Sequence, residues 1–176
     1  LGAGGGVIWQ RGPLSVSANY IAGQGHEGSE GSGLIGDESG SSSTLQLGYA
    51  RQNWGVAAAL VAIENGFGII DYASPYTLRS YEQPGITTST AISGYWQPST
   101  DGWIPSVSLG WGWNSTRYRE GVDRTGLVAI SQSWTVAVQW SDLFNTGTAM
   151  GAAVGQPIIA TALVDGTNPD DAGYVM

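Results

Sequence analysis

Apolar and small polar residues alternate along this chain with a period of two. Leu14-Ser15-Val16-Ser17-Ala18-Asn19-Tyr20-Ile21-Ala22 puts Leu14, Val16, Ala18 and Tyr20 on one face and Ser15, Ser17 and Asn19 on the other. That alternation predicts a β-strand with one apolar and one polar side. Similar segments recur at 3–10, 14–22, 44–52, 54–64, 86–97, 103–115, 127–140 and 146–157. Each is about as long as a tilted membrane-crossing strand. In the clearest of them Val107, Leu109, Trp111 and Trp113 alternate with Ser106, Ser108, Gly110 and Gly112. In another, Trp134, Val136, Val138 and Trp140 stand opposite Ser133, Thr135 and Gln139. The segment holding Val56-Ala57-Ala58-Ala59-Leu60-Val61 is apolar on both faces, and only its neighbours argue for a strand.

The connections alternate as well. Arg11-Gly12-Pro13, Asn53, 98–102 and 141–145 are short and carry turn residues. Segments 23–43, 65–85, 116–126 and 158–171 are long and polar. Outer-membrane barrels have this asymmetry, with short turns on the periplasmic side and long loops outside. The fold expected is therefore all-β, an antiparallel transmembrane β-barrel. Trp9, Tyr49, Trp54, Trp96, Trp103, Trp140 and Phe144 fall near the short turns, and Tyr20, Trp111, Trp113 and Tyr174 near the long loops. They form two candidate girdles at the headgroup levels. The bland reading of the same rings is the core of a soluble sandwich or barrel.

Composition sharpens this picture. Only 11% of residues are charged, against about a quarter in a soluble domain. Lys is absent, and the charges sit almost entirely between the predicted strands. A charge facing lipid at mid-depth costs about 2–4 kcal/mol, so a barrel wall favours Ser, Thr, Gln, Asn and Gly on its wet side. No apolar run approaches the roughly 18 residues of a transmembrane helix. With no Cys, disulfides and thiolate chemistry are excluded. The net charge of −8 argues against a nucleic-acid partner. Residues 1–176 read as one domain and as a piece of a longer polypeptide, since no initiator Met opens it and Gly173-Tyr174-Val175-Met176 reads as the start of another strand.

The stretch Asp142-Leu143-Phe144-Asn145-Thr146-Gly147-Thr148-Ala149-Met150-Gly151-Ala152-Ala153-Val154-Gly155-Gln156-Pro157 resembles the strand pair near the end of cyanobacterial outer-membrane porins. These are the Som-type or iron uptake porins, related to the OprB-type carbohydrate-selective porins. Ala91-Ile92-Ser93-Gly94-Tyr95-Trp96-Gln97-Pro98 resembles their strand-turn signature, and 14–22 is similar to the second strand of a family hairpin. The resemblance implies a larger, homotrimeric barrel, with the chain supplying about eight strands. It also implies a surface-layer-homology domain gripping peptidoglycan, expected outside residues 1–176 together with the later barrel strands. It brings no catalytic residues and no cofactor.

Other motifs weigh less. Gly23-Gln24-Gly25-His26-Glu27-Gly28 spells a dinucleotide fingerprint, but Ser29-Glu30-Gly31-Ser32-Gly33 cannot open a helix, and Glu27 and Glu30 repel a pyrophosphate. His26, the only His, lies in the same Gly-rich segment, where nothing holds a catalytic base rigid. Asp37-Glu38 and Asp170-Asp171 lack a calcium-loop spacing, so no metal site is assigned. Glu27, Glu30, Asp37 and Glu38 instead suggest a cation-attracting vestibule. Arg117, Arg119 and Arg124 form either a basic strip facing acids across a lumen or salt bridges with Glu120 and Asp123. Asn114-Ser115-Thr116 is a chance glycosylation sequon in a bacterial protein.

The function expected is passive diffusion of small hydrophilic solutes, inorganic ions or sugars through a water-filled pore in the bacterial outer membrane. Ser15, Ser17, Asn19, Ser106, Ser108, Gly110, Gly112, Ser133, Thr135 and Gln139 are the expected pore-lining residues. Lipid meets the opposite face, and the long loops set size and charge preference. No enzymatic chemistry is expected. The rival is a soluble secreted all-β carbohydrate-binding module, and a third role, adhesion through the loops, is compatible with a pore.

Overall fold

The computed structural model describes residues 2–23, 40–66, 73–99, 102–145 and 147–166. They form one antiparallel sheet of eight strands, each paired with the next in sequence. The strands are β1 (Ala3–Arg11), β2 (Leu14–Ala22), β3 (Ser41–Ala50), β4 (Trp54–Glu64), β5 (Gly85–Trp96), β6 (Ser106–Tyr118), β7 (Val128–Ser141) and β8 (Ala149–Leu163). β1 and β8 do not pair with each other, so this sheet is open. One helix, α1 (Pro75–Tyr81), interrupts the connection between β4 and β5. No described helix is long and apolar enough to cross a membrane.

The all-β antiparallel expectation holds, and β2 and β4 have the predicted limits. β4 resolves its ambiguity through its neighbours, pairing with β3 over Gly55–Glu64 and with β5 over Trp54–Glu64. Other limits differ for local reasons. β6 starts at Ser106 because Pro105, which lacks a backbone donor, precedes it. β8 starts at Ala149 because the chain turns just before it, with Asp142 and Gly147 at positive φ and Asp142 N donating to the Thr148 carbonyl at 2.8 Å. The segments expected to be loops also give up residues to strands. Ser41–Ser43 extend β3, Thr116–Tyr118 extend β6, and Ile158–Leu163 extend β8 past a register shift at Pro157. A bulge there leaves a strand position free of the ladder, where Pro is tolerated.

The register sorts the side chains. Val7 faces Ala18, Trp9 faces Val16, Leu47 faces Val16 and Ala58, and Ile92 faces Ala58 and Trp111. Trp111 in turn faces Trp134, and Val136 faces Leu109 and Val154. A one-residue slip in any pair would mix the two faces, so this agreement across seven pairings fixes the register. Every exposed large apolar side chain of the strands lies on this one face except Ile8, Ile21 and Tyr95.

Candidate functional site: the polar face and the segment seated on it

The other face carries Ser15, Ser17 and Asn19 from β2, Ser106, Ser108, Gly110 and Gly112 from β6, and Ser133, Thr135 and Gln139 from β7. All ten expected pore-lining residues therefore share one side. Ser106 pairs with Gln139, Gly110 with Thr135 and Gly112 with Ser133. The glycines here admit a neighbour's hydroxyl. A Cβ on Gly110 would lie 2.9 Å from Thr135 Oγ1, and one on Gly112 2.9 Å from Ser133 Oγ. Strand residues on this face carry no charge. The charged strand residues Arg11, Glu64 and Arg117 all lie at strand ends on the apolar face.

That placement revises the reading of the arginines. Arg117 is a strand residue on the side of Trp111 and Trp113, between the buried Thr116 and Tyr118 that point the other way. It is not part of a strip turned toward the polar face. Arg119 and Arg124 are in the loop after β6, where Arg124 Nη2 donates to the Arg119 carbonyl at 3.3 Å. Asp123 is fully exposed, and hydrogen bonds from Thr125 hold its carboxyl below the usual range. Glu27, Glu30, Asp37, Glu38, His26, Asp170, Asp171 and Tyr174 lie outside the described residues, as does the Gly-rich motif beyond Gly23.

The expected girdle residues Trp9, Tyr49, Trp54, Trp96, Trp111, Trp113 and Trp140 are strand residues on the apolar face, and Trp103 is in the turn before β6. Near the short turns the rings cluster. Trp54 and Trp96 are register partners, the Tyr49 and Trp54 rings stand 5.5 Å apart, and Trp103 and Phe144 meet edge-on at 6.5 Å. Trp140 Nε1 donates to the Trp103 carbonyl at 3.0 Å. Arg51 lies over the Tyr49 ring. At the other end the placement differs from expectation. β6 runs on to Tyr118, so Trp111 and Trp113 lie well inside the strand. Trp134, not singled out as a girdle residue, pairs with Trp111 and donates from Nε1 to Gln156 Oε1 at 3.1 Å.

At the long-loop end, the polar face is covered. Ser74 caps α1, its Oγ accepting from Thr77 N at 3.3 Å, and Pro75 opens the helix where no backbone donor is needed. The helix then settles on β6, β7 and β8. The bulge in β8 frees the Ile158 carbonyl, which accepts from Ser74 N at 3.0 Å. Val128 N donates to Ser80 Oγ at 3.3 Å. The Tyr81 hydroxyl bonds Ser131 Oγ, which also accepts from Asn114 Nδ2 at 2.9 Å. Tyr76 donates to the Gly126 carbonyl and Tyr118 to the Val128 carbonyl.

Most buried side chains of the described residues belong to this contact: Ser74, Thr77, Ser80, Tyr81, Asn114, Thr116, Tyr118, Val128, Ser131 and Ala160. Burying that many polar groups is tolerable only because they are paired. Burial pushes the Tyr81 hydroxyl above its ordinary pKa, which keeps it neutral. The long segment 65–85, expected as a loop, thus holds a short helix clamped to the polar face. The signal in the sequence was Ser74-Pro75, a cap residue followed by an N1 proline.

No group of three or more His, Cys, Asp or Glu able to hold a metal occurs among the described residues. No protein-family model, curated protein or solved structure matches the chain.

Proposed function

We propose that this sheet is part of the wall of a porin barrel in a bacterial outer membrane, with its apolar face toward lipid and its polar face toward a water-filled lumen. The barrel is a homotrimer of the cyanobacterial porin type and passes small hydrophilic solutes or ions without chemistry. The observation that carries this reading is the register. Eight strands of nine to fifteen residues put every strand Trp and most of the Leu and Val on one side, and mostly uncharged Ser, Thr, Gln, Asn, Gly and Ala on the other, with Ile8, Ile21, Val61 and Ile63 among the apolar exceptions there. A soluble monomer seldom exposes an apolar patch beyond a few hundred Å², whereas a lipid-facing wall requires one. The open edges suit a wall segment, since closure removes edges only when a barrel is complete.

On this reading α1 leans into the lumen from the long-loop side and narrows it. Because the strand-borne polar face is uncharged, discrimination falls to pore width, hydrogen bonding and the loops. Single-channel recording of the full-length protein in planar bilayers tests the proposal. Stepwise ion conductance is expected, and removal of 75–81 should raise the unit conductance. A protein that inserts as a trimer but carries no ion current contradicts it.

A further inference from the structure

Tyr95 breaks the rule that sorts the aromatics. Every strand Trp and Tyr lies on the apolar face except Tyr95 and Tyr118. Tyr118 is buried and its hydroxyl is spent on the Val128 carbonyl. Tyr95 stands on the polar face with 43% of its surface exposed. Its ring is backed by Gly55, the residue it pairs with in β4. Gly55 is buried, and a Cβ there would lie 2.6 Å from Tyr95 Cε1 and 3.0 Å from Cζ. Only a glycine lets the ring lie down against the sheet, one side on backbone and the other toward open space.

Two hollows adjoin the ring. One, of about 660 Å³, is lined by Tyr95 with Ser106, Ser108, Gln139 and Ser141. The other, of about 520 Å³, is lined by Tyr95 with Ser15, Gln46, Ser93 and Thr135. Both are in the size range of small-molecule sites. Their polar groups are neutral hydroxyls and amides, which donate and accept without selecting for charge. A flat aromatic plate beside uncharged hydrogen-bonding groups is complementary to an uncharged ring solute with one flat apolar face and a polar edge.

We propose that Tyr95 and the Ser106, Ser108 and Gln139 hydrogen-bonding groups beside it form a stacking subsite for such solutes, of which a pyranose and a nucleoside are the two sources. The inference rests on the lumen reading for its biological use. The binding itself is a property of this face. In transit the solute rests its ring on Tyr95 while its edge exchanges water for Ser and Gln contacts. Acyclic polyols have the hydroxyls without the plate and gain no stacking.

The test is equilibrium binding of glucose, uridine and mannitol to the full-length protein in detergent, followed by saturation-transfer NMR. Wild type should bind glucose, uridine or both, and not mannitol. The glucose-only and uridine-only outcomes distinguish the two sources. Tyr95→Phe should keep affinity within about twofold, and Tyr95→Ala should lose about tenfold, the scale of removing one stacking ring. Insertion of Tyr95→Ala as ion-conducting channels in planar bilayers, whatever their unit conductance, separates loss of the subsite from loss of the pore. Mannitol binding as well as glucose and uridine, no binding of any probe, or equal binding by wild type and a folded Tyr95→Ala would overturn the proposal.

Discussion

At the scale of single residues, the seat of α1 rests on a few hydroxyls. Tyr81→Phe removes the bond to Ser131 while Asn114 still donates to it, so no buried oxygen is orphaned. The expected loss is about 1 kcal/mol. Trypsin reads it directly, because Arg79 is exposed on a helix that must unfold locally to be cut. Cleavage after Arg79 should be faster in Tyr81→Phe than in wild type.

Gly66→Ala should act on the same seat more strongly. Gly66 has φ +68°, and a Cβ there would lie 2.4 Å from the Tyr81 carbonyl oxygen. Strain and backbone collision together should cost more than about 1 kcal/mol. Faster cutting at Arg79 than in Tyr81→Phe checks it. The pH dependence follows from burial. The Tyr81 pKa is raised in the folded state, so its contribution is complete below the unfolded value of about 10 and is lost as pH rises through the folded value. A spectroscopic tyrosine titration should show a late-ionising component that Tyr81→Phe removes. Little of this was legible in the sequence. The buried side of α1 is Thr77, Ser80 and Tyr81, so no apolar period marks it, and seven residues are too few to display one. Tyr95 was equally hidden, since beside Trp96 it looks like one more girdle residue until the register separates them.

At the scale of the strand, neighbours in sequence should behave as opposites. Leu47 lies on the apolar face between Val16 and Ala58, and Gln46 lies on the polar face between Ser17 and Ala59. Leu47→Arg should cost about 2–4 kcal/mol in a bilayer, while Gln46→Arg should cost little. Urea unfolding in lipid vesicles checks this, and equal costs would mean the faces are misassigned. The strands were largely legible because each of β2, β6 and β7 carries its own two-residue period. β4 was not, because Ala57, Ala59, Val61 and Ile63 make its polar-face positions apolar, and only pairing with β3 and β5 settles it. Strand ends were missed where local chemistry outweighs alternation. Pro105 delays β6, and the turn through Asp142 and Gly147 delays β8. The bulge at Pro157 lets β8 run on and gives α1 its Ile158 anchor.

At the scale of the molecule, the sheet has two surfaces of opposite chemistry, and its terminal strands β1 and β8 do not pair with each other. Such an object is awkward in water and natural as a wall between lipid and a lumen. Among the described residues, most buried side chains lie on the polar face under α1, which makes the helix a fixed feature of that face. The absence of cysteine makes the central claim directly testable. Single cysteines placed from position 106 to 113 of β6 can each be spin-labelled in proteoliposomes and probed with lipid-soluble oxygen and a water-soluble nickel chelate. The account predicts strict alternation, with labels at 107, 109, 111 and 113 relaxed by oxygen and labels at 106, 108, 110 and 112 relaxed by nickel. Nickel access at every position, or odd-numbered labels that neither reagent reaches because protein covers them, would contradict it.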